Sequence, residues 1–495
     1  MPGRDPSITV FKGLPFAAPP VGDLRWRAPR PVVSWTGVRK ADAFGANCPQ
    51  TIVEEKKPWT YEFMAHGPTS EDCLFLNVWT AAASAADKRP VYVYVHGGAN
   101  TEGSGSVPAY DGEGLARKGI VVVTVNYRLG VLGFFTHPAL TKESETHASG
   151  NYALLDLVAA LRWVHDNAAA FGGDPANVTL GGQSAGASNT HALTASPLAK
   201  GLFHRAIMES GSNVNTGSGS RTLAEQEALG VRFAEAKGAR TLGELRALSW
   251  EQLAVLVPAA TGSAAPQGPI RFGVIVDGYV LPASGRDAFA AGRQNDVPTL
   301  TGLNRHENGA TPHPDVTAEA FQKQARQRFQ DLADEFLALY PASSDEQARV
   351  SQNESAWDQA RVSMALWARQ RAATAKTPAF TYFWDHALPG PDVEQYGAFH
   401  TSEVPYAMNS LAMSRRPFTD ADRRIADTLS SYWANFMTTG DPNGPGLPPW
   451  PAASKDSAMT MEVGDTSAPI PIASSPARQA FFEKVLVRPR PPGSQ

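Results

Sequence analysis

The sequence predicts an α/β fold in which a mostly parallel sheet carries helices on both faces. Two runs of β-branched and aromatic residues, at 91–95 and 120–125, indicate strands, and the second is too apolar for a half-exposed strand. An amphipathic helical pattern follows, and then a further strand, a tight turn and an Ala-rich helix. Strands and helices that alternate in this way are typical of α/β proteins.

The elements follow one another without a linker that would separate domains. The helix predicted over residues 152–171 rests on apolar residues at three- and four-residue steps, and it ends at the Gly-Gly-Asp-Pro cluster of residues 172–175. Further strands are predicted at residues 178–180, 206–208, 299–301 and 380–383, and helices at 318–339 and 425–437. We therefore expect residues 1–495 to form a single domain, although the length alone would allow about three.

Composition excludes several classes of protein. The chain is 42% hydrophobic and 19% charged, as in ordinary globular proteins. A net charge of −4 shows no basic excess for nucleic acid or an anionic membrane. No apolar run is long enough for a membrane span, and residues 1–5 show no signal-peptide character.

Residues 182–186, Gly-Gln-Ser-Ala-Gly, match the G-x-S-x-G pattern, which occurs once in the chain. The pattern predicts a sharp strand-to-helix turn that exposes Ser184 as a nucleophile at the carboxyl edge of the sheet. Glycines on either side avoid clashes across such a turn. An ordinary strand–helix turn is the alternative. The strand predicted before the motif and the helix after it favour the nucleophile.

A second motif, His96-Gly97-Gly98-Ala99, directly follows the strand at residues 91–95. It is similar to the HGGG-type loops whose backbone N–H groups stabilise an oxyanion. Ala99 keeps its N–H, and its methyl is expected to narrow the acyl side of the pocket. A Gly-rich β-turn without a catalytic role is the alternative.

A serine nucleophile needs a base and a residue that orients the base. With the partners in the order Ser, acid, His, the candidate bases are His306, His313, His386 and His400. The two cysteines, Cys48 and Cys73, either form a disulfide or remain as two buried thiols.

At this point the sequence resembles the type-B carboxylesterase family, which includes the cholinesterases and the non-enzymatic neuroligins. The segments that carry the resemblance are residues 11–17, 24–26, 71–79, 126–130 and 171–175. The resemblance implies an α/β-hydrolase fold, with a large, mostly parallel central sheet and helical insertions that cap an active-site gorge. Relatives begin with a hairpin before the stretch that matches residues 8–12, so we expect this opening hairpin to be truncated.

The resemblance also implies a catalytic triad and an oxyanion hole. Residues 302–309 match the family's G-x(4)-E-x-G setting, which makes Glu307 the acid, and the context of His400 makes it the base. The implied oxyanion donors are the N–H groups of Gly98, Ala99 and Ala185. The family also pairs two early cysteines, which implies a Cys48–Cys73 disulfide.

The implied function is the hydrolysis of small-molecule carboxylic esters through an acyl-enzyme, without a cofactor or metal, by a monomer or homodimer. A specialised esterase for a natural product, polyester or carbamate is one alternative. A neuroligin-like binding protein is another, which the complete triad disfavours. Gln183 and Asn100 are candidate substrate-binding residues. Cholinesterases have Glu in place of Gln183 and many relatives an aromatic in place of Asn100, so both point away from a choline ester.

Several roles stay open on the sequence alone. Glu403 belongs either to an acidic network behind the base, or it is a surface carboxylate or an acid at a helix N-terminus. The aromatic residues of the presumed disulfide loop either cap the gorge or pack inside the protein; they are Trp59, Tyr61 and Phe63. Four cations either serve an anionic substrate or, as we expect for most of them, are solvated at the surface; they are Lys56, Lys57, Arg128 and Arg305. A disulfide favours secretion or the periplasm, with the cytoplasm as the alternative.

Overall fold

The computed structural model describes residues 1–211, 221–258, 269–307, 315–456 and 458–488. Ten strands were found in these ranges: β1 Thr9–Pro15, β2 Phe75–Thr80, β3 Arg89–Val95, β4 Val121–Val125, β5 Gly173–Gln183, β6 Arg205–Glu209, β7 Thr299–Asn304, β8 Ala379–Trp384, β9 Met459–Val463 and β10 Ser467–Pro471. They form one sheet in the order β1-β2-β4-β3-β5-β6-β7-β8-β9-β10. Neighbouring strands are parallel from β4 through to β9 in this order. The β1–β2, β2–β4 and β9–β10 pairs at the two edges are antiparallel.

Helices surround the sheet. Their bounds are α1 Glu113–Arg117, α2 Gly130–Phe134, α3 Pro138–Glu143, α4 Tyr152–Asn167, α5 Ala185–Ala195, α6 Leu223–Ala236, α7 Leu242–Ala247, α8 Trp250–Ala254, α9 Gly285–Ala290, α10 Ala318–Phe329, α11 Ala333–Leu339, α12 Asp345–Thr374, α13 Val393–Tyr396, α14 Val404–Ala407, α15 Asp420–Thr439 and α16 Pro476–Val487. The prediction of one continuous helix at 318–339 is wrong. Gln330, with a φ of 50°, ends α10 and a short 3₁₀ turn separates it from α11.

The two faces of the sheet bury different side chains because residues alternate along each strand. In β3, Val91, Val93 and Val95 pack on the face covered by α4 and α5. Tyr92 and Tyr94 point to the opposite face, where α1 and α15 supply much of the core. Covering both faces leaves the carboxyl edge of the parallel strands as the open side, which is where ligands bind in such sheets.

The first residues of the described chain fold back on β1. Pro2 forms an antiparallel bridge with Thr9, and the Val10 N–H donates to the Met1 carbonyl at 2.8 Å. A tight antiparallel turn therefore precedes β1. Within the described ranges, no helix has both the length and the apolar character that a membrane crossing requires.

Candidate active site

Ser184 lies at the junction between β5 and α5, in a sharp turn with φ 57° and ψ −121°. A non-glycine residue in this region is strained, and such strain is typical of a nucleophile turn. A Cβ at Gly182 or Gly186 would lie 2.3 or 2.0 Å from the Val95 carbonyl oxygen. Both glycines therefore allow the turn to approach β3, in agreement with the strand–turn–helix prediction.

Glu307 and His400 meet behind this turn, although 93 residues separate them in the chain. The Glu307 carboxylate accepts a hydrogen bond from His400 Nδ1. Its other oxygen accepts from Ser210 Oγ at 2.6 Å and from the Asn304 N–H at 2.8 Å. Three donors thus hold this partly buried carboxylate in one orientation, directed at the imidazole.

Each partner alters the pKa of the other. Burial opposes the charge of Glu307, but the His400 charge and the hydrogen bonds outweigh it and lower the pKa of Glu307. Burial also disfavours the His400 imidazolium, yet the charge of Glu307 and its hydrogen bond raise the pKa of His400 above its usual value. The Glu307–His400 contact therefore stabilises the protonated form of His400.

Ser184 and His400 line the same cavity, of about 290 Å³. Among the hydrogen bonds of the described residues, none joins the two side chains. The side-chain nitrogen of Gln183 lies 3.2 Å from His400 Nε2 instead. An amide N–H directed at Nε2 fits a neutral ring with its proton on Nδ1, which is the tautomer that a general base needs.

The loop after β3 has three consecutive residues in the left-handed region: Gly98, Ala99 and Asn100, with φ values of 98°, 53° and 59°. Successive N–H groups in such loops often form an anion-binding nest. Gly98 has to be glycine, because a Cβ would lie 2.1 Å from the Glu102 carbonyl oxygen. Gly98 and Ala99 line the cavity beside Ser184, as expected for oxyanion donors.

His96, at the start of this loop, is a buried neutral residue. Burial lowers its pKa to about 4. Its ring stacks on Tyr127 with the centroids 4.4 Å apart, and the Tyr127 hydroxyl donates to the His96 carbonyl at 2.9 Å. His96 therefore supports the loop and does not exchange protons near neutral pH.

Asn100, a candidate substrate-binding residue in the sequence, contacts α5 instead of lining the cavity. Its side-chain oxygen accepts a hydrogen bond from Asn189 Nδ2 at 2.8 Å, and it is absent from the residues that line the described cavity. The amide is directed at α5.

The disulfide Cys48–Cys73 is present and closes the segment that forms one wall of the cavity. Of its aromatic residues, Trp59 and Phe63 line the cavity, whereas Tyr61 is 49% exposed and stacks on His66. The Trp59 ring N–H donates to the His400 carbonyl at 3.0 Å. The wall is thus attached directly to the loop that carries the base.

The other candidate bases lie elsewhere. His386 bridges Asp422 and Asp465, and His306 accepts a hydrogen bond from the Ala398 N–H through Nδ1. His313 lies outside the described residues. Of the four candidate bases, the structure pairs His400 with Glu307.

Glu403 is fully buried, so the surface alternative for this residue is wrong, whereas the helix N-terminal position is confirmed because Glu403 directly precedes α14. Asn304 Nδ2 donates to its carboxylate. Burial, together with the charges of Glu209 and Glu307, raises the pKa of Glu403 to about 8. Glu209, which the sequence analysis did not single out, is equally buried and accepts from the Trp433 ring N–H at 2.9 Å. An acidic network therefore lies behind the Glu307–His400 pair.

Of the four cations, Arg128 departs from the solvated expectation. It is almost fully buried and forms two hydrogen bonds with the buried Asp156 carboxylate, at 2.7 and 2.8 Å. Lys56 pairs with Glu102, and Lys57 pairs with Asp392. Arg305 pairs with Asp385.

The mostly parallel sheet, with the strained turn at Ser184 between β5 and α5, defines this chain as an α/β-hydrolase. A solved structure titled PNB esterase has a TM-score of 0.77 and 31% sequence identity, and the match covers 97% of this chain and 96% of that chain. The sequence model described as "Carboxylesterase family" matches residues 1–481. The chain therefore belongs to the carboxylesterase family and is a carboxylic ester hydrolase.

Two similar relatives are named after two different substrates. Fumonisin B1 esterase of Sphingopyxis macrogoltabida is 37% identical over 468 residues, which cover 91% of this chain and 82% of that protein. Phenmedipham hydrolase of Pseudarthrobacter oxydans is 34% identical over 485 residues, which cover 94% of this chain and 93% of that protein. The relatives are enzymes, which favours the hydrolase over the non-catalytic binding protein considered from the sequence.

Proposed function

We propose that Ser184 is the nucleophile of a two-step ester hydrolysis, with His400 as its base and Glu307 as the residue that orients the base. One observation carries this proposal. Ser184 lies at the tip of a strained turn and shares a cavity with His400, whose other ring nitrogen is hydrogen-bonded to Glu307. A serine, an imidazole and a carboxylate in this relation form a catalytic triad.

In the first step, Ser184 Oγ attacks the ester carbonyl carbon while His400 Nε2 takes the hydroxyl proton. The carbonyl oxygen becomes an oxyanion, which the N–H groups of Gly98, Ala99 and Ala185 stabilise. One such donor contributes roughly 3 kcal/mol to the transition state. The tetrahedral intermediate then collapses, and His400 returns the proton to the leaving alcohol.

In the second step, water attacks the acyl-enzyme and His400 takes its proton. The same N–H groups stabilise the second oxyanion, and collapse releases the acid and restores Ser184. Glu307 keeps the Nδ1 proton in place and stabilises the imidazolium in both steps. The hydrogen bonds from Ser210 and Asn304 keep Glu307 in position.

The proposal is tested by Ser184→Ala with p-nitrophenyl acetate as substrate. We expect kcat to fall by about 10⁶-fold, as when other hydrolases lose the serine. Ser188→Ala is the matched control, because Ser188 lies one turn further along α5 and is exposed. Wild-type turnover in Ser184→Ala would contradict the proposal.

The cavity supports an uncharged ester as the substrate. Its wall includes the apolar side chains of Ile52, Phe63 and Met64, and the Lys56 and Glu102 charges at the cavity pair with each other at 3.4 Å. We expect p-nitrophenyl butyrate to be hydrolysed with a higher kcat/KM than the corresponding hemisuccinate. A preference for the hemisuccinate would contradict this substrate class.

The disulfide supports an oxidising compartment, and we propose that the enzyme is secreted or periplasmic. Extracts of its native host are alkylated under denaturing, non-reducing conditions, and the alkylated cysteines of the protein are counted by mass spectrometry. We expect neither Cys48 nor Cys73 to be alkylated. Alkylation of both would favour the cytoplasm instead.

A further inference from the structure

Two asparagines join the loop after β3 to the helix that follows Ser184. Asn189 Nδ2 donates to Asn100 Oδ1 at 2.8 Å, and Asn100 Nδ2 faces Asn189 Oδ1 at 3.5 Å. Asn189 is fully buried, and Asn100 is half-buried. We call this reciprocal pair the amide clasp.

The clasp connects the two halves of the proposed oxyanion hole. Asn100 directly follows the donors Gly98 and Ala99, and Asn189 lies one helical turn beyond Ala185, on the same helix. The loop donors and the helix donor come from distant parts of the chain. The two asparagines that join these parts are 89 residues apart in the sequence. A contact between these parts can therefore control the distance between the donors.

The loop needs such a contact because its backbone is strained. Ala99 and Asn100 both have positive φ values, which cost free energy for residues with a Cβ. The Asn100 carbonyl is fixed as well, since it accepts from the Gly130 N–H at 2.7 Å. Main chain and side chain of Asn100 are thus both held.

Asn189 also supports the start of the loop. Its side chain lies close to the Tyr127 hydroxyl, which donates to the His96 carbonyl at 2.9 Å. A single buried amide is therefore bonded to Asn100 at one end of the loop and lies close to the residue that supports His96 at the other.

We propose that Asn100 and Asn189 are positioning residues that hold the Gly98 and Ala99 donors in register with the Ala185 donor. The inference rests on the proposed function, because it assumes that these N–H groups bind the oxyanion. It assigns Asn100 a role through the loop and no contact with the substrate, in keeping with its absence from the cavity lining.

The test compares Asn189→Leu with the wild-type enzyme. Displaced donors should weaken transition-state binding more than ground-state binding, so we expect kcat to fall about tenfold and KM to change less than twofold. The inhibition constant of an aryl trifluoromethyl ketone, whose adduct with a serine carries an oxyanion, should rise by about the same tenfold. A merely structural role would lower the melting temperature and leave this inhibition constant unchanged.

Thr190→Val is the matched control. Thr190 is the next residue of α5, is equally buried, and its hydroxyl has no hydrogen-bond partner among the described residues. If Asn189→Leu does not fold, Asn100→Ala at the half-buried end of the clasp provides the same readouts. An unchanged inhibition constant in the folded variant, or an equal change in Thr190→Val, would overturn the inference.

The two proposals fail in different ways. If Ser184→Ala keeps its activity, the proposed nucleophile is wrong. If Ser184→Ala is inactive while Asn189→Leu binds the ketone like the wild type, only the amide clasp is wrong.

Discussion

His400 Nε2 lies 3.2 Å from the side-chain nitrogen of Gln183, the residue before the proposed nucleophile. In the proposed mechanism Nε2 takes the Ser184 proton, so the residue at position 183 is placed to act directly on the base. Gln183 is uncharged. Among the described residues, the acidic side chain that directly contacts the His400 ring is Glu307.

Gln183→Glu should place a second negative charge beside the base. A nearby carboxylate favours the imidazolium, so the pKa of His400 should rise and the acidic limb of the kcat/KM profile should move up by about one pH unit. The uncharged Gln183→Met is the control, and its profile should not move upward. A pH profile of Gln183→Glu that superposes on the wild type would show that the residue does not act on His400.

Glu307→Gln should remove the charge that raises the pKa of His400. We expect kcat to fall by about 10³–10⁴-fold, because the orienting carboxylate is lost, and the acidic limb to move to lower pH. Ser210→Ala removes one hydrogen bond to Glu307 and should cause a smaller fall without that shift. An acidic limb that stays in place in Glu307→Gln would contradict the assigned electrostatics.

Glu403→Gln tests the buried acidic network. Burial raises the pKa of Glu403 from its usual 4.5 to about 8, so the folded protein keeps this proton up to about that pH. Its stabilising contribution is complete below pH 4.5 and is lost as the pH rises through 8, by up to about 1.4 kcal/mol per pH unit. Relative to the wild type, the free energy of unfolding of Glu403→Gln should therefore rise between pH 5 and pH 8.

Urea unfolding at several pH values measures this difference. The exposed Glu394 provides the control, and Glu394→Gln should follow the wild type at every pH. A constant difference between Glu403→Gln and the wild type across the range would mean that Glu403 is ionised in the folded protein.

Gly186→Ala should destabilise the nucleophile turn. The added methyl would lie 2.0 Å from the Val95 carbonyl oxygen, a main-chain atom of a central strand that cannot easily move. Overpacking of this kind costs about 1–3 kcal/mol, which thermal unfolding would detect. Gly243→Ala, with its nearest atom at 3.8 Å, should be neutral or stabilising, and an equal loss in both variants would exclude the steric explanation.

The central strands could be predicted from the sequence because they are buried on both faces. Their apolar runs therefore appear without interruption, and the predicted segments at 91–95, 206–208 and 380–383 all fall within observed strands. Helix α12 was missed, although it is 30 residues long. It buries small and polar residues such as Ala348, Ser351 and Asp358, so it has no continuous apolar stripe.

The site residues likewise divide into those that the sequence reveals and those that it does not. The turn at Ser184 and the glycine loop are local motifs, which a sequence can reveal. Glu307 and His400 were identified through the family resemblance, since their pairing depends on contacts between distant segments. The roles of Ser210, Glu209 and Asn189 depend on such contacts alone. For the first two, the one available signal was their position at the carboxyl edge of the sheet, with Glu209 as the last residue of β6 and Ser210 directly after it.

The most direct measurement of the central claim is peptide mass spectrometry of the enzyme after treatment with a fluorophosphonate. This reagent phosphonylates an activated serine with loss of fluoride, and a catalytic serine is the group that the proposed triad activates. We expect one equivalent of phosphonyl group on the peptide that contains Ser184, none in Ser184→Ala, and full labelling in Ser188→Ala. An adduct on another residue, or undiminished labelling of Ser184→Ala, would contradict the assignment of Ser184 as the nucleophile.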